Sequence, residues 1–169
     1  MADLIILAIL LAGPQHGYAL KKRAGLVLNQ PALHNNTIYP LLNRFIERGW
    51  VSRKETDGQR GQTRQVYSLT RAGRDELIER LSAFDDKQAR SENEFHLRVS
   101  LFELLPSETR QSILAARTAV LDQRDDHLHR LQKSERLSGF NAEVVAYKRQ
   151  QIESEIQWIR KLSRRRSRI

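Results

Sequence analysis

The sequence predicts a mainly α-helical protein with a small β-hairpin wing, built as an N-terminal domain followed by a C-terminal antiparallel helical hairpin. Three observations carry this. Apolar residues recur at helical spacing through most of the chain. The strand-forming runs WVSRKE and RQVYSLT stand close together around the turn-rich TDGQRGQT. Beyond Asp85 no strand signal appears, and apolar residues repeat every seven positions over two long stretches.

Asp3 to Leu11 is apolar nearly all round, as in a helix buried on several faces, and Gly13-Pro14 ends it. A second short helix is expected from Tyr18 to about Leu26, with Tyr18, Ala19 and Ala24 inward and Lys21, Lys22 and Arg23 toward water. In HNNTIYPLLNRFIERGW, Asn35 and Asn36 are good caps and Pro40 suits only a first helical turn, so a helix starts near Asn36 or Thr37. Ile38, Leu41, Leu42, Phe45 and Ile46 form its core face, and Arg48-Gly49 stop it. The hairpin follows over about residues 50–69. Thr70 then caps RAGRDELIERLSAF, whose apolar face is Ala72, Leu77, Ile78 and Leu81. Three helices, a hairpin and a helix in this order are those of a winged helix-turn-helix domain, placed at residues 1–82.

Residues 83–169 form the second domain. Glu94 to Leu105 reads as helical, and Pro106-Ser107-Glu108 restarts a helix running to about Leu137. Leu114, Leu121 and Leu128 repeat there every seven residues. After Ser138-Gly139 a last helix carries Val145, Ile152 and Ile159 at the same step. Such a hairpin has little core alone, so these six residues are expected to pair with a second copy of the chain.

The net charge of +9 favours a polyanionic partner. Residues 1–82 hold 12 Lys/Arg against 7 Asp/Glu, residues 83–163 hold 13 against 13, and the tail RRRSRI adds four cations. The excess therefore lies in the hairpin-bearing domain and the tail. There is no cysteine, which removes disulfides and thiol chemistry. LIILAILLAG is preceded only by Asp3, lacks the positive segment of a signal peptide, and falls short of the ~20 residues of a membrane span. A cytoplasmic protein with no membrane partner is expected.

Catalysis finds little support. The motifs GxxxxGK[ST], GxSxG and HExxH are absent, and the five histidines show no metal-ligand spacing. No metal, cofactor or enzymatic activity is expected. Asp85-Asp86 and Asp125-Asp126 read as solvated pairs.

GPQHGYAL, then NNTIYPLLNRFIERGWV, then RQVYSLTRAGR resemble the PadR family of transcriptional regulators across residues 4–82. The C-terminal part, with SENEFHLRVSLFELL, is similar to the subgroup with an extended, Vir-like helical dimerisation domain. The resemblance implies a homodimer that binds double-stranded DNA at a palindromic operator, usually as a repressor. In some members small aromatic ligands release the DNA, which implies an aromatic effector as a further partner. Thr37, Ile38, Tyr39 and Pro40 fall in the family's recognition-helix segment, while Asn43 departs from the Lys often found at its place.

On this reading the helix of about residues 36–48 enters the major groove with Asn35, Asn36 and Thr37 near base edges. Asn36 serves equally well as a cap alone. Tyr39, Asn43 and Arg44 would reach phosphates, joined by Lys21 and Lys22 of the preceding helix and by Arg60 and Arg64 of the wing. Trp158, Tyr147, Phe95 and Phe102 could line an aromatic pocket, although the sequence marks no polar anchor beside them. The competing reading is a protein-interaction module, or a small-molecule sensor using the helical arm, that has lost specific DNA binding.

Overall fold

A computed structural model describes residues 2–28, 35–57, 63–134 and 137–165. Arg60 and the end of the arginine-rich tail lie outside the described residues, as does the side chain of Asn35. The chain divides into two compact units, Met1–Ala83 and Phe84–Ile169.

The first unit runs α1 (Ala2–Leu11), β1 (Gln15–His16), α2 (Gly17–Leu28), α3 (Asn35–Glu47), β2 (Val51–Asp57), β3 (Thr63–Leu69) and α4 (Arg71–Ser82). It is a winged helix. Leu4, Ile5, Ile6, Leu7, Ile9 and Leu10 are all buried, so α1 is the central post against which α2, α4 and β3 pack. Each such side chain contributes ~1.5–3 kcal/mol by leaving water. Ile38, Leu41, Leu42 and Phe45 bring α3 onto this core along one stripe. β2 and β3 pair antiparallel, from Val51 opposite Leu69 to Asp57 opposite Thr63.

Local signals place these boundaries. Gly49 closes α3 at φ +72°, its N–H donating to the Ile46 carbonyl. Thr70 accepts the Gly73 N–H at 3.0 Å and caps α4. Other expectations need correction. The sheet has a third strand, β1, which pairs with β3 through Gln15–Tyr67 and His16–Val66. Two residues carry no period, so nothing in the sequence announced it. Tyr18 is 76 % exposed rather than inward, and Ala72 faces solvent while Gly73 takes the buried place. Pro40 is the sixth residue of α3, just past the turn where a missing N–H is harmless.

The second unit comprises α5 (Asp86–Arg90), α6 (Glu92–Ser100), a 3-10 turn (Phe102–Leu104), α7 (Ser107–Ser134) and α8 (Gly139–Ser163). The single helix expected over Glu94–Leu105 is thus α6 plus a tighter turn. Asp85 is no idle solvated carboxylate. It accepts the Gln88 N–H while the Gln88 side chain accepts the Asp85 N–H, a capping box that starts α5.

α7 and α8 run antiparallel, as the cross-links Gln111–Ser163, Arg117–Glu155 and Arg149–Asp125 show. Leu114, Leu121, Val145 and Ile159 are buried inside this single unit, and Leu128 and Ile152 are half-buried. Their assignment as a free dimerisation stripe is therefore corrected. A seven-residue repeat records a helix seam without saying whose helix lies across it, and here the chain's own elements enclose four of the six. Arg117 lies at the centre of the unit, 1 % exposed. It makes two hydrogen bonds to the Glu155 carboxylate (2.7 and 2.9 Å) and one to the Ala89 carbonyl (2.8 Å), joining α7 to α8 and α5.

Candidate nucleic-acid interface

Burying Ile38, Leu41, Leu42 and Phe45 turns the opposite face of α3 outward by helical geometry. That face presents Asn36, Thr37, Tyr39, Pro40, Asn43 and Arg44, all exposed. Asn and Thr side chains there can donate to and accept from base edges. Lys22 is exposed on α2, whereas Lys21 is half-buried with interactions of its own. Arg53, Lys54 and Arg64 are exposed on the hairpin strands.

Tyr39 and Arg64 meet in a depression of about 510 Å³ that is also lined by His16, Tyr18, Gln65 and Tyr67. It sits where the start of α2, the first turns of α3 and the sheet converge. The close approach of α2 to α3 depends on Gly17, where a methyl group would stand 3.1 Å from Tyr39 Cε1. Tyr67 is buried, and its hydroxyl donates to Gln65 Oε1 at 3.0 Å. Burial pushes its phenol up; neighbouring Tyr39 adds to this and Arg53 opposes it. Tyr18 and Tyr39 keep hydroxyls toward solvent, so the depression offers phenol, imidazole and guanidinium donors to an anionic oxygen.

The sequence reading missed His16, Tyr18, Gln65 and Tyr67 here. Helical period is undefined over the first turn of α2, so it could not say which way Tyr18 points. The role of Arg44 also differs. Its Nη2 donates to the Asp3 carboxylate at 2.9 Å, tying α3 to α1. Asp3 accepts from Arg80 Nη1 of α4 through the same oxygen, at 3.3 Å. Arg80 in turn lies 4.9 Å from the Trp50 ring centroid, with Arg48 at 4.8 Å.

Among the described residues no group of three or more His, Cys, Asp or Glu side chains could hold a metal ion, and no helix is long and apolar enough to cross a membrane.

The chain is similar to known proteins over the same part. Residues 6–79 match the model of the transcriptional regulator PadR-like family. Protein TA0346 of Thermoplasma acidophilum is 37 % identical over 46 % of this chain and 74 % of its own, with a TM-score of 0.44. A PadR family transcription regulator from Clostridium difficile is 26 % identical over 47 % of this chain and 81 % of its own, with a TM-score of 0.41. PadR of Bacillus subtilis, solved in complex with operator DNA, is 18 % identical over 95 % of this chain and 96 % of its own, with a TM-score of 0.48. No curated protein matches significantly. With its match running through every element of the winged helix, this chain belongs to the PadR-like family of transcriptional regulators.

Proposed function

We propose that this regulator binds operator DNA directly, as a homodimeric repressor at a palindromic site, with α3 in the major groove and the β2–β3 hairpin against the adjacent backbone. The observation that carries the reading is the outward face of α3. Asn36, Thr37 and Asn43 stand exposed along it, and Tyr39 and Arg64 share a depression at its N-terminal end. Asn36 and Thr37 read bases, whereas Tyr39, Lys22, Arg64 and, at the hairpin tip, Arg60 hold phosphates. Lys21 supports α2 at the backbone. The charge excess of residues 1–82 supplies the non-specific part of the affinity.

The partner-facing surface of the second unit is assigned to Phe140, Val144 and Tyr147, which recur at i, i+4 and i+7 on α8 and are all exposed, Phe140 to 89 %. They replace the stripe that the unit has already enclosed. A second copy fits because residues 83–163 carry as many cations as anions, so two such units do not repel each other.

One further feature favours an effector. A groove of about 1220 Å³ in the second unit sets Tyr147 and Trp158 beside Arg90, Arg124 and Lys148, the cationic anchors that the sequence alone did not reveal. A small aromatic anion suits it, its ring on the aromatics and its charge on the cations.

The test is a binding titration with the duplex most enriched from a random pool and with an unrelated duplex, over a series of salt concentrations. Selective binding whose logarithm falls with a slope of roughly −0.9 per neutralised phosphate is expected. Replacing Arg60 and Arg64 together by Gln should flatten that slope by about 1 per lost contact per half-site. Equal, weak binding to both duplexes would sink the reading and favour a protein-interaction module.

A further inference from the structure

The proposal concerns how α3 is held, and it rests on the DNA-binding reading above. Asp3 is the one acid in the first turn of α1, a helix otherwise made of buried apolar side chains. Through a single carboxylate oxygen it accepts from Arg44 of α3 at 2.9 Å and from Arg80 of α4 at 3.3 Å. Arg80 is itself fixed at two further points: its Nε donates to Glu76 at 2.5 Å, and its guanidinium lies over Trp50. Trp50 is in turn the residue that follows the Gly49 stop of α3, and its ring stands 5.6 Å from that of Phe45 on the core face of α3. The outward end of α3 is thereby connected through charge and ring contacts to the two helices that flank it.

We infer that Asp3 is a positioning residue for the recognition helix: it clamps Arg44 and Arg80, sets the attitude of α3, and keeps Arg44 off the DNA backbone. Two consequences are physical and opposite in sign. Losing the carboxylate releases Arg44 and adds one positive charge, so affinity for any duplex rises. It also loosens the angle at which α3 presents Asn36, Thr37 and Asn43, so the advantage of the selected duplex falls. A bidentate base contact demands a fixed side-chain origin, whereas a phosphate contact from a long arginine does not. The measured quantity is therefore the ratio of affinities for the selected and unrelated duplexes, not either affinity alone.

The experiment titrates the full chain and the variants Asp3→Asn, Asp3→Glu and Arg44→Gln against both duplexes over a salt series, with circular dichroism melts alongside. Asp3→Asn is expected to lower the ratio by roughly three- to tenfold, the scale on which a partly exposed charge network acts. Affinity for the unrelated duplex should rise in the same variant, and its salt slope should steepen by about 1 per half-site as Arg44 engages a phosphate. Asp3→Glu, which keeps the carboxylate, should recover most of the ratio. Arg44→Gln should lower the ratio while leaving the salt slope unchanged, and because Arg44 is about half exposed this variant remains informative if Asp3→Asn melts early. An unmoved ratio in both Asp3→Asn and Arg44→Gln overturns the clamp and leaves the DNA reading intact. A flatter slope with an unchanged ratio in Arg44→Gln also overturns it and returns Arg44 to a phosphate-contact role. A wild-type ratio near one overturns the DNA reading, and the clamp with it.

Discussion

Gly73 sits where α4 passes beneath the end of α3, and a Cβ there would stand 2.0 Å from the Trp50 carbonyl oxygen. That oxygen accepts the Thr70 N–H at 3.0 Å, and the Thr70 hydroxyl lies 2.7 Å from the Gly49 carbonyl. Leu69-Thr70-Arg71-Ala72-Gly73 is thus a joint, with threonine supplying the cap and glycine the room for backbone against backbone. Neither backbone can step aside without opening the sheet, so Gly73→Ala should cost about 1–3 kcal/mol, the range for overpacking a core. Urea denaturation would show it as a lower midpoint at an unchanged slope; a midpoint within error of wild type would mean that α4 shifts freely. Tyr67 offers a pH test at the same scale. Its raised phenol favours the neutral form in the folded state, so the associated stability is complete below the unfolded value near 10 and is lost as pH rises through the folded one. The denaturation midpoint of Tyr67→Phe should accordingly fall less between pH 9 and 11 than that of wild type.

At the scale of elements, the second unit depends on an ion pair at its centre. Arg117 is almost wholly buried and Glu155 carries its counter-charge, with a bidentate geometry that leaves a third donor for the Ala89 carbonyl. Breaking such a pair from one side leaves a charge without compensation. Glu155→Gln should therefore destabilise the unit by roughly 3–5 kcal/mol, whereas the double change Arg117→Met with Glu155→Leu should come close to neutral. Equal losses in the single and double variants, compared by thermal melting, would show that packing rather than charge dominates. α3 illustrates a second lesson about elements. Pro40 is exposed inside it, where an intrahelical hydrogen bond is forgone, and the core stripe from Ile38 to Phe45 holds the helix in spite of it.

For the whole molecule, the distribution of charge matters more than its total. The excess of residues 1–82 lies with the proposed DNA face, and the balance of residues 83–163 lets a second copy approach. If α8 pairs through Phe140, Val144 and Tyr147, then Phe140→Asp should shift sedimentation from dimer toward monomer without lowering the melting temperature, since the ring is 89 % exposed within the chain. A dimer that survives the change would remove this face from the interface. Loss of the dimer should also weaken binding to a two-half-site duplex far more than to a single half-site.

The sequence by itself determined the local order of the first unit: the apolar post, the Gly49 stop, the paired strands and the Thr70 cap. Each of these depends on residues within a few positions of one another. It also determined the family, because three short segments kept their order and spacing. Tertiary structure alone decided the rest. Which helix lies across the Leu114–Leu121–Leu128 seam depends on a partner dozens of residues away, and periodicity carries no record of the partner's identity. The same is true of β1, whose two residues become a strand only because β3 offers an open edge. Asp3, Arg44 and Arg80 are separated by up to 77 positions. Their charges could be counted from the sequence, but only the packing of three helices brings them to one carboxylate oxygen.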